Sequence, residues 1–109
     1  PAIGQMQNDI AVATMALEDM IRIVDNYAFT PDLSITSDVL ARKAIAAGSV
    51  KAAIETASEI VGGPGFYRGH PMERIVRDMR AFHFHPLPER IQQEFSGRIA
   101  LGLDPIEAR

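Results

Sequence analysis

Between Glu59 and Pro86 the chain reads EIVGGPGFYRGHPMERIVRDMRAFHFHP, and the residue types able to do chemistry gather there. Gly62, Gly63 and Gly65 occupy three of four positions, and four arginines and three histidines follow within twenty residues. Bare backbone of this kind lets a ligand come close, as phosphate-binding loops do; an ordinary helix stop and turn would use the same residues. It is neither a Walker nor a dinucleotide fingerprint, because a helical pattern precedes it where those motifs need a strand.

Glu73 and Arg77, like Arg74 and Asp78, are four apart and can form surface ion pairs on a short helix. The sharper alternative has these arginines meeting carboxylates of a neighbouring helix or subunit in two-pronged pairs. His83 and His85 are two apart in a stretch expected to be extended, so their rings point to opposite sides. With no cysteine in the chain and no carboxylate completing a set, no metal site is expected. One of the two histidines lining a pocket is a candidate role; a hydrogen-bonded structural histidine is the alternative.

The rest of the chain must position this stretch. Its 109 residues suit one domain, and a net charge of −3 argues against nucleic acid as the main partner. No apolar run reaches the roughly 20 residues that cross a bilayer, and no signal peptide opens the chain, so a cytoplasmic address fits. The first 35 residues carry Asp9, Glu18, Asp19, Asp25 and Asp32 against Arg22 alone, whereas residues 66–100 carry six arginines against four acids. Internal or subunit charge pairing on solvated faces is the simplest reading. The chain opens on Pro1, which reads as processing or as a cut from something longer.

Four helical segments and no strands follow from the apolar spacing. The first should run from Ile3 to Tyr27 with an inner stripe of Ile3, Met6, Ile10, Ala13, Leu17, Met20 or Ile21, and Val24. Pro31 ends it. The second begins at TSDV, capped by Thr36 or Ser37, and runs alanine-rich to Val61. Gly48 in its middle suggests tight packing against a neighbour. Gly62 and Gly63 end this helix. Pro71 opens a short third helix facing inward through Ile75, Val76 and Met79. A fourth starts at Pro88 and Glu89, with Ile91, Phe95, Ile99 and Leu103 as its stripe. Two long antiparallel helices, one short and one medium make an all-α, up-and-down four-helix bundle.

GGPGFYRGHPMERIVRDMRA, positions 62–81, resembles the C-terminal region of acyl-CoA dehydrogenases, whose pattern reads GG-x-G-F/Y, then P-x-E/G-R/K, then RDA-[KR]. Upstream, Gln7, Ile10 and Ala11 match the family's Q-x-x-[LM]-A helix; downstream, Ile91, Gln92 and Arg98 fit its last helix. The resemblance implies the C-terminal bundle of a flavoprotein that removes a proton and a hydride from an acyl-CoA thioester, passing the hydride to FAD. It implies a homodimer or homotetramer in which Gly62 and Gly63, with Glu59 three residues before, lie against the FAD of a neighbouring subunit. Other domains of the full enzyme would hold most of the flavin and acyl-CoA contacts, and this chain alone would be inactive.

The chain departs from the pattern in three ways. Glu59 stands where glutamine is common, and its carboxylate repels a pyrophosphate. Pro86 fills the usual slot of the catalytic glutamate, and Leu87, Pro88 and Arg90 replace the residues that follow it. The base would then come from elsewhere in the full chain. A flavin-dependent monooxygenase of the same fold is an alternative, with His85 or His83 acting on oxygenated flavin. A free-standing helical module that only self-associates is another.

Overall fold

A computed structural model describes residues 1–106. It is all-helical with four helices, as the spacing predicts. The helices are α1 (Ala2–Val24), α2 (Leu33–Val61), α3 (Pro71–Met79) and α4 (Glu89–Ala100). Short 3-10 turns follow the first three, at Asp25–Tyr27, Gly63–Phe66 and Arg80–His83.

The spine is α2, which packs against each of the other three helices. Asp19 near the end of α1 pairs with Arg42 near the start of α2, so these two form an antiparallel hairpin. Ser37 on another side of α2 donates to Ser96 of α4 at 2.7 Å, and Gln92 donates to the same Ser96 hydroxyl at 2.9 Å. Both Ser37 and Gln92 are buried, so this short polar chain satisfies groups that would otherwise be costly to desolvate. Lys43 of α2 donates to the Phe82 carbonyl at 3.0 Å and ties down the turn after α3.

Helix ends differ from the sequence expectation by a few residues. Asp32, not Thr36 or Ser37, caps α2, accepting the Ile35 N–H at 2.8 Å, and the helix starts one turn early. The first helix stops at Val24 rather than Tyr27, because Asp25, Asn26 and Tyr27 turn to φ of 41°, 53° and 68°. Short Asp and Asn side chains tolerate that left-handed backbone, so the stop precedes Pro31 by several residues.

The inner face of α1 also differs. Met6, Asp9, Ala13, Ala16, Met20 and Ile23 turn toward α2, spaced by threes and fours. Ile3, Ile10, Leu17 and Ile21 form a second apolar stripe that is more than half exposed. The helix therefore has two apolar stripes, which a single list of apolar positions merges into one. Ile75 of α3 and Ile91 of α4 likewise face outward, and their places inside are taken by Met72 and Gln92. A side chain at Gly48 would meet nothing within 4 Å, so tight packing is not what put glycine there.

The chain is long for its mass. Its radius of gyration is 16.7 Å, against about 13 Å for a compact domain of this size. A spine as long as α2 outreaches its short neighbours, and little core closes around it. Among the described residues the buried apolar side chains are Ala16, Ala53 and Met79.

Two surface carboxylates give the fold a pH signature. Hydrogen bonds from Arg22 first and Arg42 second hold the Asp19 carboxyl below its ordinary value. The Ile35 N–H, then the Ser34 hydroxyl, do the same for Asp32. A carboxyl depressed in the folded state contributes stability above its unfolded value, about 3.9, and loses it as pH falls through the folded one. The share of thermal stability that these two carboxyls contribute should therefore hold from neutral pH to about pH 5 and be lost below about pH 4. Asp32→Asn keeps a capping side chain without the titration, so its melting temperature should fall less steeply in that acid window. An identical acid slope in the variant would remove Asp32 from the explanation.

Candidate functional site

At the end of α2 the Gly62 N–H bonds the Ser58 carbonyl at 2.9 Å, and Gly62 itself takes φ 72° and ψ −152°. That backbone region belongs almost wholly to glycine. A tight turn follows: Gly65 N–H bonds the Gly62 carbonyl at 3.1 Å, and the chain reverses into α3. Gly65 has a separate reason to be glycine, since a Cβ there would lie 3.0 Å from Val61 Cγ1 and 3.4 Å from Met72 Cγ. Gly63 has neither reason. No positive φ is required of it, and an added Cβ meets nothing within 4 Å. Its only local constraint is to precede Pro64 in a turn.

Gly62 and Gly63 are both exposed, and Glu59 is exposed one turn back on α2. The three residues expected to face a cofactor therefore sit together on one accessible elbow. His70 closes the elbow onto α3, its Nδ1 accepting the Met72 N–H at 3.0 Å. An N-cap directly before Pro71 is a signal the sequence carries, but histidine is seldom the residue sought there.

Between the elbow and α3 lies a half-open cavity of about 680 Å³. Arg68, Arg77, Arg80 and Glu73 supply its charged wall, and Phe66, Tyr67, Met72 and Val76 its apolar part. Ser58 also lines it, with a buried hydroxyl oxygen that has no partner. The short-range charge pairs on α3 form as the spacing suggests: Arg77 to Glu73 at 3.7 Å and Arg74 to Asp78 at 3.6 Å. Such pairs contribute only about 0.2–0.5 kcal/mol each.

The two later histidines fall elsewhere. His83 ends the 3-10 turn after α3 instead of lying in an extended run, and it lines a second cavity of about 290 Å³ between α2 and α4. Gly48, Met79 and Leu87 lie in the same wall. His85 is exposed and lines neither cavity, and Pro86 beside it is exposed too. The structure thus separates His83 and His85 from the glycine elbow, at which His70 alone of the three histidines stands. Among the described residues, no group of three or more His, Asp or Glu side chains is placed to hold a metal ion. None of the described helices is long and apolar enough to cross a membrane.

Comparison with known proteins gives one family. The family model described as the acyl-CoA dehydrogenase C-terminal domain matches residues 2–86, from the first turn of α1 through the glycine elbow to Pro86. No curated protein and no solved structure matches significantly.

Proposed function

The chain belongs to the family of acyl-CoA dehydrogenase C-terminal domains, and from that premise we propose that it supplies the flavin-facing helical part of an FAD-dependent oxidoreductase acting on acyl-CoA thioesters. The family is an oxidoreductase family, generally flavin-dependent and oligomeric. One observation carries the reading. Gly62 and Gly65 are glycine for reasons internal to the chain, whereas the bare, exposed backbone at Gly63 answers no packing demand within it. A cofactor held by a neighbouring subunit and laid against the elbow gives that bareness a use.

When bound, the flavin supplies the hydride acceptor. The chain's own contribution is to offer close backbone approach at Gly62 and Gly63, with Glu59 able to accept from a ribose hydroxyl or an amine. Proton abstraction is assigned outside this chain, because Pro86 has no group to exchange a proton and His85 lies apart from the elbow. The large apolar side chains left exposed on α1, such as Ile10 and Leu17, support assembly with further protein surface.

The test is spectroscopic. The protein, purified as its gene encodes it, should carry a flavin absorbance that bleaches when an acyl-CoA is added without oxygen. A flavin that ignores every acyl-CoA but, once reduced by a reduced nicotinamide nucleotide, is reoxidised by oxygen while an added substrate is hydroxylated would favour the monooxygenase branch instead. A colourless, stable oligomer that takes up no flavin would favour the self-association module.

A further inference from the structure

Each of the two long helices carries a second, mainly apolar row. On α1 it is Ile3, Gln7, Ile10, Thr14, Leu17 and Ile21, spaced by alternating fours and threes and exposed throughout. At about 100° per residue it lies about 110° around the helix from the row that packs on α2. On α2 the matching row is Leu40, Lys43, Ala47, Val50, Ile54 and Ala57, half-buried. It is turned about 110° from Arg42, which meets α1, and α4 meets α2 on yet another side, at Ser37. The Lys43 ammonium is tied to the Phe82 carbonyl, so the row presents its apolar stem.

Two rows at such an angle suit a corner helix of a four-helix bundle, one row for each neighbour. Because α1 and α2 run antiparallel, equal turns in the same sense set both second rows on one side of the hairpin. The chain exposes 7865 Å², whereas a folded monomer of 11.9 kDa exposes about 6,000 Å². The excess is larger than the roughly 800 Å² per partner that a stable interface buries.

The face is self-complementary. The α1 row is centred on position 12 and the α2 row between positions 48 and 49. The Asp19–Arg42 pair sets position 12 beside position 49, so both centres stand at one level. A single two-fold axis at that level therefore lays each row on its own copy. Along α1, Ile3 then meets the partner's Ile21, and Ile10 meets the partner's Thr14. Along α2, Leu40 meets the partner's Ala57, and Ala47 meets the partner's Val50. Charge agrees with this order. Glu18 is exposed and has no ion pair among the described residues. It falls beside the partner's Gly4, in a first turn with no acidic residue and no side-chain cap.

We propose that this face binds a second copy of the chain, the two α1–α2 hairpins closing a four-helix bundle in which each helix is antiparallel to its neighbours. The inference rests on the reading that α1 assembles with further protein surface, and it names that surface. It does not depend on the flavin.

The experiment uses the protein purified as its gene encodes it, with mass read by analytical ultracentrifugation and helicity by circular dichroism. The unsubstituted protein should show twice its chain mass or a higher even multiple. Ile10→Glu and Leu17→Glu each put a carboxylate into the closed face and should raise the dissociation constant at least roughly a hundred-fold. Met15→Glu is the control: Met15 is exposed on α1 outside both rows, and the change should stay within about two-fold. The chain has no cysteine, so introduced thiols report the geometry. Ile10→Cys and Thr14→Cys proteins, mixed and mildly oxidised, should form a disulfide-linked pair that neither forms alone.

A single-chain mass overturns the proposal, and so does an oligomer that Ile10→Glu and Leu17→Glu leave intact. Leu17→Glu that lowers the melting temperature without changing the mass also overturns it, and puts another part of the same polypeptide on the face. Disulfides formed by each thiol variant alone would overturn the antiparallel order. Flavin absorbance is read on the same samples. A coloured protein without this pairing leaves the flavin reading standing, and a colourless dimer joined through this face leaves the pairing standing.

Discussion

Met79→Ala is expected to lower stability by about 2–5 kcal/mol, toward the lower end of that range. Among the described residues Met79 is the large apolar side chain that is buried, at 7% exposure, and the other buried apolar residues, Ala16 and Ala53, have little left to lose. It projects from the last turn of α3 into the wall shared with α2, next to Phe82 and Leu87. Truncation removes the transfer free energy of three heavy atoms and enlarges a cavity of about 290 Å³ that already lies beside it. Because that cavity is open to water, part of the cost of an empty space is relieved. Met79→Leu keeps most of the volume and should cost less than about 1.5 kcal/mol. Urea unfolding of the three proteins gives the comparison, and equal midpoints would mean that α3 is anchored by something other than this side chain. The effect reaches the candidate site as well, since α3 carries Arg77 and leads into Arg80, and a loosened α3 widens the elbow cavity.

The class of fold was legible in the sequence because it rests on periodicity and on breakers, both local properties. Steps of three and four, the proline at position 71 and the glycines at 62 and 63 place four helices without reference to any contact. What was not legible depends on which apolar stripe meets which neighbour. Ile10 and Leu17 look like core on a helical wheel, and so do Ala13 and Ala16; only the packing of α1 on α2 selects the second pair. Gln92 is buried while Ile91 is exposed, because the Ser96 hydroxyl at that seam accepts from the Gln92 amide as well as from Ser37. Ser37 and Ser96 are 59 residues apart in the chain, a pairing that composition and spacing do not encode.

The candidate site shows the same division. The run of glycines announces an unusual backbone, and its place at the end of α2 follows from the sequence. Which glycine serves the chain and which serves something else requires the geometry: a left-handed φ at Gly62, a close Val61 at Gly65, open space at Gly63. Arg68 and Arg80 belong to no pair at helical spacing, and they become notable only once one cavity wall holds them both.

Gly63→Leu is expected to remove most of the bound flavin while leaving the helices in place. Neighbouring glycines supply the comparison. Any residue with a Cβ at position 62 must hold φ near 72° with ψ near −152°, so Gly62→Ala strains the turn by about 1–3 kcal/mol and mixes lost order with added bulk. At position 63 a new side chain finds open space and no forbidden φ, and the sole penalty is that of a residue preceding proline. Gly63→Ala and Gly63→Leu share that penalty, so the difference between them isolates bulk at the elbow. Both should melt within a few degrees of each other. The alanine protein should keep most of its flavin, and the leucine protein should lose at least nine-tenths of it, because three further carbons stand where the dinucleotide would approach. Flavin absorbance per protein, read beside a melting curve, decides the matter. Full flavin occupancy in a well-folded Gly63→Leu protein would show that the elbow faces solvent and that the bareness of Gly63 has no ligand to serve.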